Sequence, residues 1–99
     1  MITSKQRSYL RGLANKISPV AHIGKNGITD SLVKQIDEIL ESKELIKVKI
    51  LDNSYLDTNE TANNIAKLTK SQFVQSIGSK FVIYRESKEN KVINLPKQK

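Results

Sequence analysis

Residues 20–30, Val-Ala-His-Ile-Gly-Lys-Asn-Gly-Ile-Thr-Asp, constrain the fold more than any other stretch of this 99-residue chain. A short apolar run at 20–23 enters a two-glycine loop, Gly24-Lys25-Asn26-Gly27, and leaves it at a helix start, Thr29-Asp30. A strand, a helix and a further strand in that order should lie with the two strands parallel. The same junction is a recurring way to hold a phosphate. Glycines let the backbone approach closely, and the free amides of a first helical turn point at the anion. Lys25 adds a mobile charge to the loop. Alone, Gly-x-x-Gly is more often a tight turn with no ligand, so the rest of the chain has to decide.

Three helices are expected. Thr3 with Gln6 three residues on forms a capping box that opens the first, and Tyr9, Leu10, Leu13, Ala14 and Ile17 recur along it as one apolar stripe. Ser18-Pro19 ends it, because a residue before proline disfavours the helical region. Arg7 and Arg11 fall on one flank of the stripe, Lys5 and Lys16 on the other. Four cations with no acid three or four residues away weaken an isolated helix, so an anionic partner is the expected reason for them. Gly12 faces away from the stripe and costs about 1 kcal/mol relative to alanine. It either admits a phosphodiester or a neighbouring loop, or is simply tolerated.

The second helix has Thr29 as its cap, Asp30 in its first turn and an Ile28/Val33 staple. Leu32, Val33, Ile36, Ile39 and Leu40 face a core, while Asp37, Glu38 and Glu41 read as solvated surface. The third opens with Asp57 and Glu60 as a second capping box and runs to about Lys70. Its apolar content, Ala62, Ile65, Ala66 and Leu68, is thin and predicts light packing.

Strands fill the gaps. In residues 45–51, Ile46, Val48 and Ile50 share one face and Lys47 and Lys49 the other, so one side of the sheet is at least partly open to water. Asp52-Asn53-Ser54 is a turn signal, and residues 73–77 and 80–85 form a hairpin across Gly78-Ser79, a pair suited to a type II′ turn. Residues 86–99 lack periodicity and are expected to be ordered in part at most. The order α-β-α-β-α-β-β gives a single α/β domain with its first two strands parallel and an antiparallel hairpin at the end.

Charge is segregated along the chain, whose net charge is +7. Residues 1–27 carry five cations and no acid, residues 28–60 eight acids against four lysines, and residues 61–99 eight bases against Glu86 and Glu89. A bipolar surface with a basic pole is an expected footprint for a polyanion. Cysteine is absent and His22 is the lone histidine, which excludes disulfides, thiolate chemistry and histidine-rich or cysteine-based metal sites. No metal or other cofactor is expected. No apolar run is long enough for a membrane span or a signal segment, and a reducing cytoplasm is compatible with the composition.

These marks together resemble the CRM domain family (chloroplast RNA splicing and ribosome maturation), in its free-standing bacterial YhbY-type form. The resemblance covers about residues 3–96. It rests on Lys5-Gln6-Arg7, Leu10-Arg11-Gly12-Leu13-Ala14, Pro19, Ile23-Gly24-Lys25-Asn26-Gly27, Leu45-Ile46-Lys47-Val48-Lys49, Ile77-Gly78, Tyr84-Arg85 and Leu95-Pro96. It implies an RNA-binding domain over residues 1–96 with a C-terminal tail at 97–99, and a mixed four-stranded sheet packed with three helices, similar to the C-terminal domain of translation initiation factor three. It implies RNA as partner, ribosomal RNA in precursors of the large subunit. The RNA contacts it implies are Gly24, Lys25, Asn26 and Gly27 with Lys5, Arg7 and Arg11; Lys16, on the same cationic helix, joins them as a candidate. Ser8 stands where relatives often carry another base, which weakens the expectation for the first helix.

Rival readings each fail on a residue. A KH module places its Gly-x-x-Gly between two helices, whereas here the loop follows a strand-like run after Pro19. A nucleotide-binding enzyme needs a longer glycine signature with Lys-Ser/Thr or a spaced acidic partner, and neither occurs. His22 lacks an adjacent carboxylate or nucleophile in sequence and reads as structural or RNA-contacting. A protein-interaction module using the acidic second helix leaves the acid-free first helix unexplained. Tyr9, Phe73, Phe81 and Tyr84 read as core, and Tyr55 sits in a loop where it could stack on a base. The expectation is a monomeric, non-enzymatic RNA-binding protein of the cytoplasm acting in large-subunit assembly, with no membrane or small-molecule substrate. Its RNA specificity would come mainly from shape. The alternative is a general RNA-binding or RNA-chaperone module not tied to the ribosome.

Overall fold

The structure, a computed structural model, describes residues 2–52, 56–89 and 91–95. Its elements run α1 (Ser4–Ala14), β1 (Ala21–Ile23), α2 (Asp30–Lys43), β2 (Leu45–Ile50), α3 (Thr58–Thr69), β3 (Gln72–Ile77) and β4 (Lys80–Tyr84). The four strands form one mixed sheet in the order β1-β2-β4-β3. β1 pairs parallel with β2, and both pairings of β4 are antiparallel. The expected α/β order and the parallel first pair are both present. The turn at Asn53-Ser54, Tyr55, Pro96 and the 97–99 tail lie outside the described residues.

The sheet has helices on both faces. Ile46, Val48 and Ile50 of β2 bury against Ile36 and Leu40 of α2 and Ala62, Ile65 and Ala66 of α3, with Phe81 and Ile83 beneath them. On the other face, Leu10 and Ala14 of α1 pack on Leu45, Val74, Val82 and Tyr84. That second cluster is the smaller one, because a single helix has to cover four strands.

Local signals account for the helix starts. Thr3 accepts from the Gln6 amide while the Gln6 side chain accepts from the Thr3 amide, completing the capping box. Thr29 accepts from the Leu32 amide, and Asp57 from the Glu60 amide without the reciprocal bond. Three expectations are corrected. The helical stripe of α1 runs through Gln6, Leu10 and Ala14, so Tyr9 points outward at 43% exposure. The helix stops at Ala14, with Ile17 held in the following turn by its amide bond to the Ala14 carbonyl. α3 packs closely rather than lightly: Ala62 and Ile65 are fully buried, because small side chains bring the helix near the sheet, and Leu68 faces water.

Acids read as a wet face turn out to hold the chain end. Arg85 donates to the Asp37 carboxylate, the Asp37 carbonyl and the Thr69 carbonyl, joining β4 to α2 and α3. Glu41 accepts from the Ser87 hydroxyl and from the Lys88 and Glu89 amides. Those bonds, the Ser87 hydroxyl first, hold the Glu41 carboxyl below the usual carboxylate range. Glu44, fully buried at φ 67 just past α2, accepts from the Ser87, Val92 and Ile93 amides at 2.6–2.7 Å. The segment after β4 is thus a strap pinned by two carboxylates, and its Ile93 and Leu95 pack against the α1 core. Burial pushes the Tyr84 hydroxyl up to about 12, with the Glu44 and Glu86 charges adding to it.

Candidate nucleic-acid interface

The Gly-x-x-Gly segment is a tight turn closed by the Gly27 amide donating to the Gly24 carbonyl at 3.0 Å. Gly27 stands at φ 67, a backbone region that side-chain-bearing residues rarely occupy. Gly24 has ordinary backbone geometry, and among the described residues a Cβ there would meet only Leu51 Cδ1 at 3.8 Å. The loop therefore spends the Gly27 amide on itself. The amides of Lys25 and Asn26, at its exposed crest, have no partner among the described residues.

The start of α2 offers less to an anion than the sequence suggests. Of its first-turn amides, that of Leu32 is taken by the Thr29 hydroxyl. Asp30 adds a negative charge at the same end, which competes with a phosphate for the helix dipole. The loop's own crest and Lys25 remain the stronger half of the junction.

The loop follows β1 at one edge of the sheet, where Leu51 donates to the Ile23 carbonyl and Ile50 to the Ser79 carbonyl. The β3–β4 hairpin tip therefore lies at the same end. Gly78 takes φ 59 there while Ser79 keeps a negative φ, as a type II′ turn requires. Helix α1 begins near Gln72 and Tyr84 at the opposite end and finishes with Asn15 beside the hairpin.

The sequence-predicted cations are thus spread rather than gathered. Lys5 is exposed at the far end; Arg11 and Lys16 are exposed towards the near end. Arg7 is half-buried, with a buried Nε that has no hydrogen-bond partner among the described residues. Among the described residues nothing lies within 4 Å of a Cβ built on Gly12, so no neighbouring loop among them explains that glycine.

Sequence reasoning left out the lysines of the sheet itself. Register places His22, Lys49, Lys80 and Ile77 side by side across all four strands, on the α1 face but beyond the helix. Lys47 pairs with Val82 one row back. No hydrogen bond or ion pair engages the side chains of Lys25, Lys47, Lys49 or Lys80 among the described residues. The alternation of β2 had already put Lys47 and Lys49 on one face. The missing information was which half of that face α1 covers.

A strand–loop–helix junction with a Gly-x-x-Gly turn, set in this element order, defines a class of domain. The CRS1/YhbY (CRM) domain model matches residues 2–85, and the chain belongs to that family. It is 48% identical over 96 residues, covering 97% of this chain and all of the other, to a Bacillus subtilis protein named "Probable RNA-binding protein YqeI". A Haemophilus influenzae protein named "RNA-binding protein" is 38% identical over 97 residues, covering 98% of this chain and 97% of that one. The solution structure of a Staphylococcus aureus protein, described as a candidate RNA-binding protein, superposes with a TM-score of 0.82 at 54% identity. It covers 97% of this chain and 100% of the other.

Proposed function

We propose that this chain is a non-enzymatic RNA-binding protein that acts, as a cytoplasmic monomer, on precursors of the large ribosomal subunit. The observation that carries the RNA part is where the partnerless cations lie. Asp37 is committed to Arg85, Glu41 and Glu44 to the strap, and Asp57 to the start of α3. Lysines 25, 47, 49 and 80 on the loop and open sheet face are left without partners among the described residues. Unneutralised cations on one surface are what a polyanion's phosphates require.

In this reading the Lys25 and Asn26 amides and the Lys25 ammonium hold backbone phosphates. Gly27 supplies the turn that lifts those amides outward. Arg11 on α1 and Lys16 in the turn just after it extend the basic surface, with Lys5 and Arg7 further from the loop. The names of the relatives and the CRM family membership support RNA as partner, and the ribosomal assignment rests on the family resemblance.

The experiment is a sucrose-gradient separation of cell extract at low salt, probed for the protein. Co-sedimentation with large-subunit precursors more than with mature ribosomes is expected. A signal confined to free-protein fractions would remove the ribosomal assignment, and RNA recovered with those fractions would favour the general RNA-binding alternative.

A further inference from the structure

A groove runs between the end of α1 and the β3–β4 hairpin, lined by Asn15, Lys47, Gln75, Ile77, Lys80 and Val82. Its construction depends on an irregularity in β3. The register shifts between Phe73 and Gln75, so Val74 and Gln75 both oppose Val82 and face α1. Such a bulge re-aims side chains next to it. Val74 goes beneath the helix, fully buried, while Gln75 reaches the open half. Ile77 stands in the same half at 65% exposure, a large apolar side chain that nothing in the fold covers.

We propose that this groove seats an unpaired segment of the bound RNA. The inference rests on the RNA-binding reading above and adds which form of RNA the open sheet takes. Three chemistries meet there. Ile77, beside the nearly buried Val82, gives an apolar floor, the Asn15 and Gln75 amides give hydrogen-bond donors and acceptors, and the Lys47 and Lys80 side chains give partnerless cations.

An A-form duplex presents phosphates and 2′-hydroxyls outward and hides its base faces, so it has no use for an exposed isoleucine. An unpaired nucleotide uses all three: its base face on the floor, its base edge on an amide, its phosphate on a lysine. The row continues through Lys49 to His22 on β1, and an imidazole is a stacking partner for a splayed base. With strands about 4.8 Å apart, four of them span about 14 Å, which leads the segment from the hairpin towards the Gly-x-x-Gly loop. Among the described residues no acid lines the groove.

The test compares two RNAs by fluorescence anisotropy: a blunt hairpin, and the same hairpin with a short unpaired extension. The wild type should prefer the extended RNA. The double variant Lys47→Gln/Lys80→Gln should lose about tenfold in affinity for the extended RNA and less than about threefold for the blunt one. Gln75→Ala/Ile77→Ala, which changes no charge, should lower only the extended affinity and leave its salt dependence as it was. Lys25→Gln should weaken both RNAs alike. Circular dichroism confirms that each variant is folded. Equal weakening of both RNAs by the groove variants, or a wild type without preference, overturns the proposal while RNA binding stands. A wild type that binds neither RNA removes both readings.

Discussion

Replacing Glu44 tests how the strap and the α1 core depend on each other. Its carboxylate is fully buried and accepts three backbone amides, from Ser87, Val92 and Ile93. Hydrogen bonds to a charged group contribute about 1.5–3 kcal/mol each, but three that share one carboxylate are not additive. Some of the freed amides reach water once the strap lifts. Alanine inherits the left-handed backbone of Glu44, so that strain is present in both proteins and cancels in the difference. Loss of the bonds, with partial loss of Ile93 and Leu95 burial, gives about 3–5 kcal/mol. That is a large fraction of the roughly 5–15 kcal/mol expected of a small domain, and it lowers Tm by roughly 15 °C or more. Glu44→Gln keeps an oxygen for Val92 and Ile93 but turns an amide nitrogen towards the Ser87 N–H, so it should fall between alanine and wild type. Urea unfolding followed by circular dichroism measures all three. A loss below about 1 kcal/mol for Glu44→Ala would mean that the strap does not hold the fold.

Lys25→Ala should reduce the slope of log K against log salt by about 0.7–0.9, one phosphate's share, whereas Gly27→Val should weaken RNA binding with little change of slope. Gly27→Val should also cost about 1–2 kcal/mol of stability through its φ of 67, read by thermal melting. Arg11→Glu should leave Tm within a degree or two, because the side chain is exposed, while Arg7→Glu should lower it, because a carboxylate there enters a half-buried site. Equal Tm values for the two arginine variants would contradict that placement. Glu41 is held below its ordinary value of 4.5, so its grip on the strap is present above that pH and is lost as pH falls through the lowered value. An NMR pH titration should show the Lys88 and Glu89 amides moving with a midpoint below 4.5.

Local signals in the sequence were read well where the interaction they encode is itself local. Thr3 with Gln6, Thr29 with Leu32 and Gly78 at the hairpin act over two or three residues, and each does in the structure what its chemistry suggests. The alternation of β2 likewise assigned its two faces correctly. What escaped was long-range. Glu41 and Glu44 find their partners more than 40 residues away, and a carboxylate that caps distant backbone amides looks, in sequence, like any solvated acid. Tyr9 and Gln6 exchanged places for a related reason. Helical periodicity gives the width of a stripe but not its centre, and a buried glutamine inside a capping box shifts that centre by one position. The candidate site was legible at the Gly-x-x-Gly loop and incomplete at the sheet. Which lysines remain open depends on where α1 ends its coverage, and that is set by tertiary packing of Leu10 and Ala14 on Val74 and Val82.

RNA is expected on the loop and the open lysine face, on the side of the sheet away from α2 and α3. Titrating an RNA hairpin with an unpaired extension into isotope-labelled protein, and following every backbone amide by NMR, tests this placement directly. Saturable shifts are expected at Lys25, Asn26 and Gly27, then at His22, Lys49 and Lys80, with Glu38 and Asn63 on the outer helices unmoved. Shifts confined to α2 and α3, or no saturable shift anywhere, would contradict it.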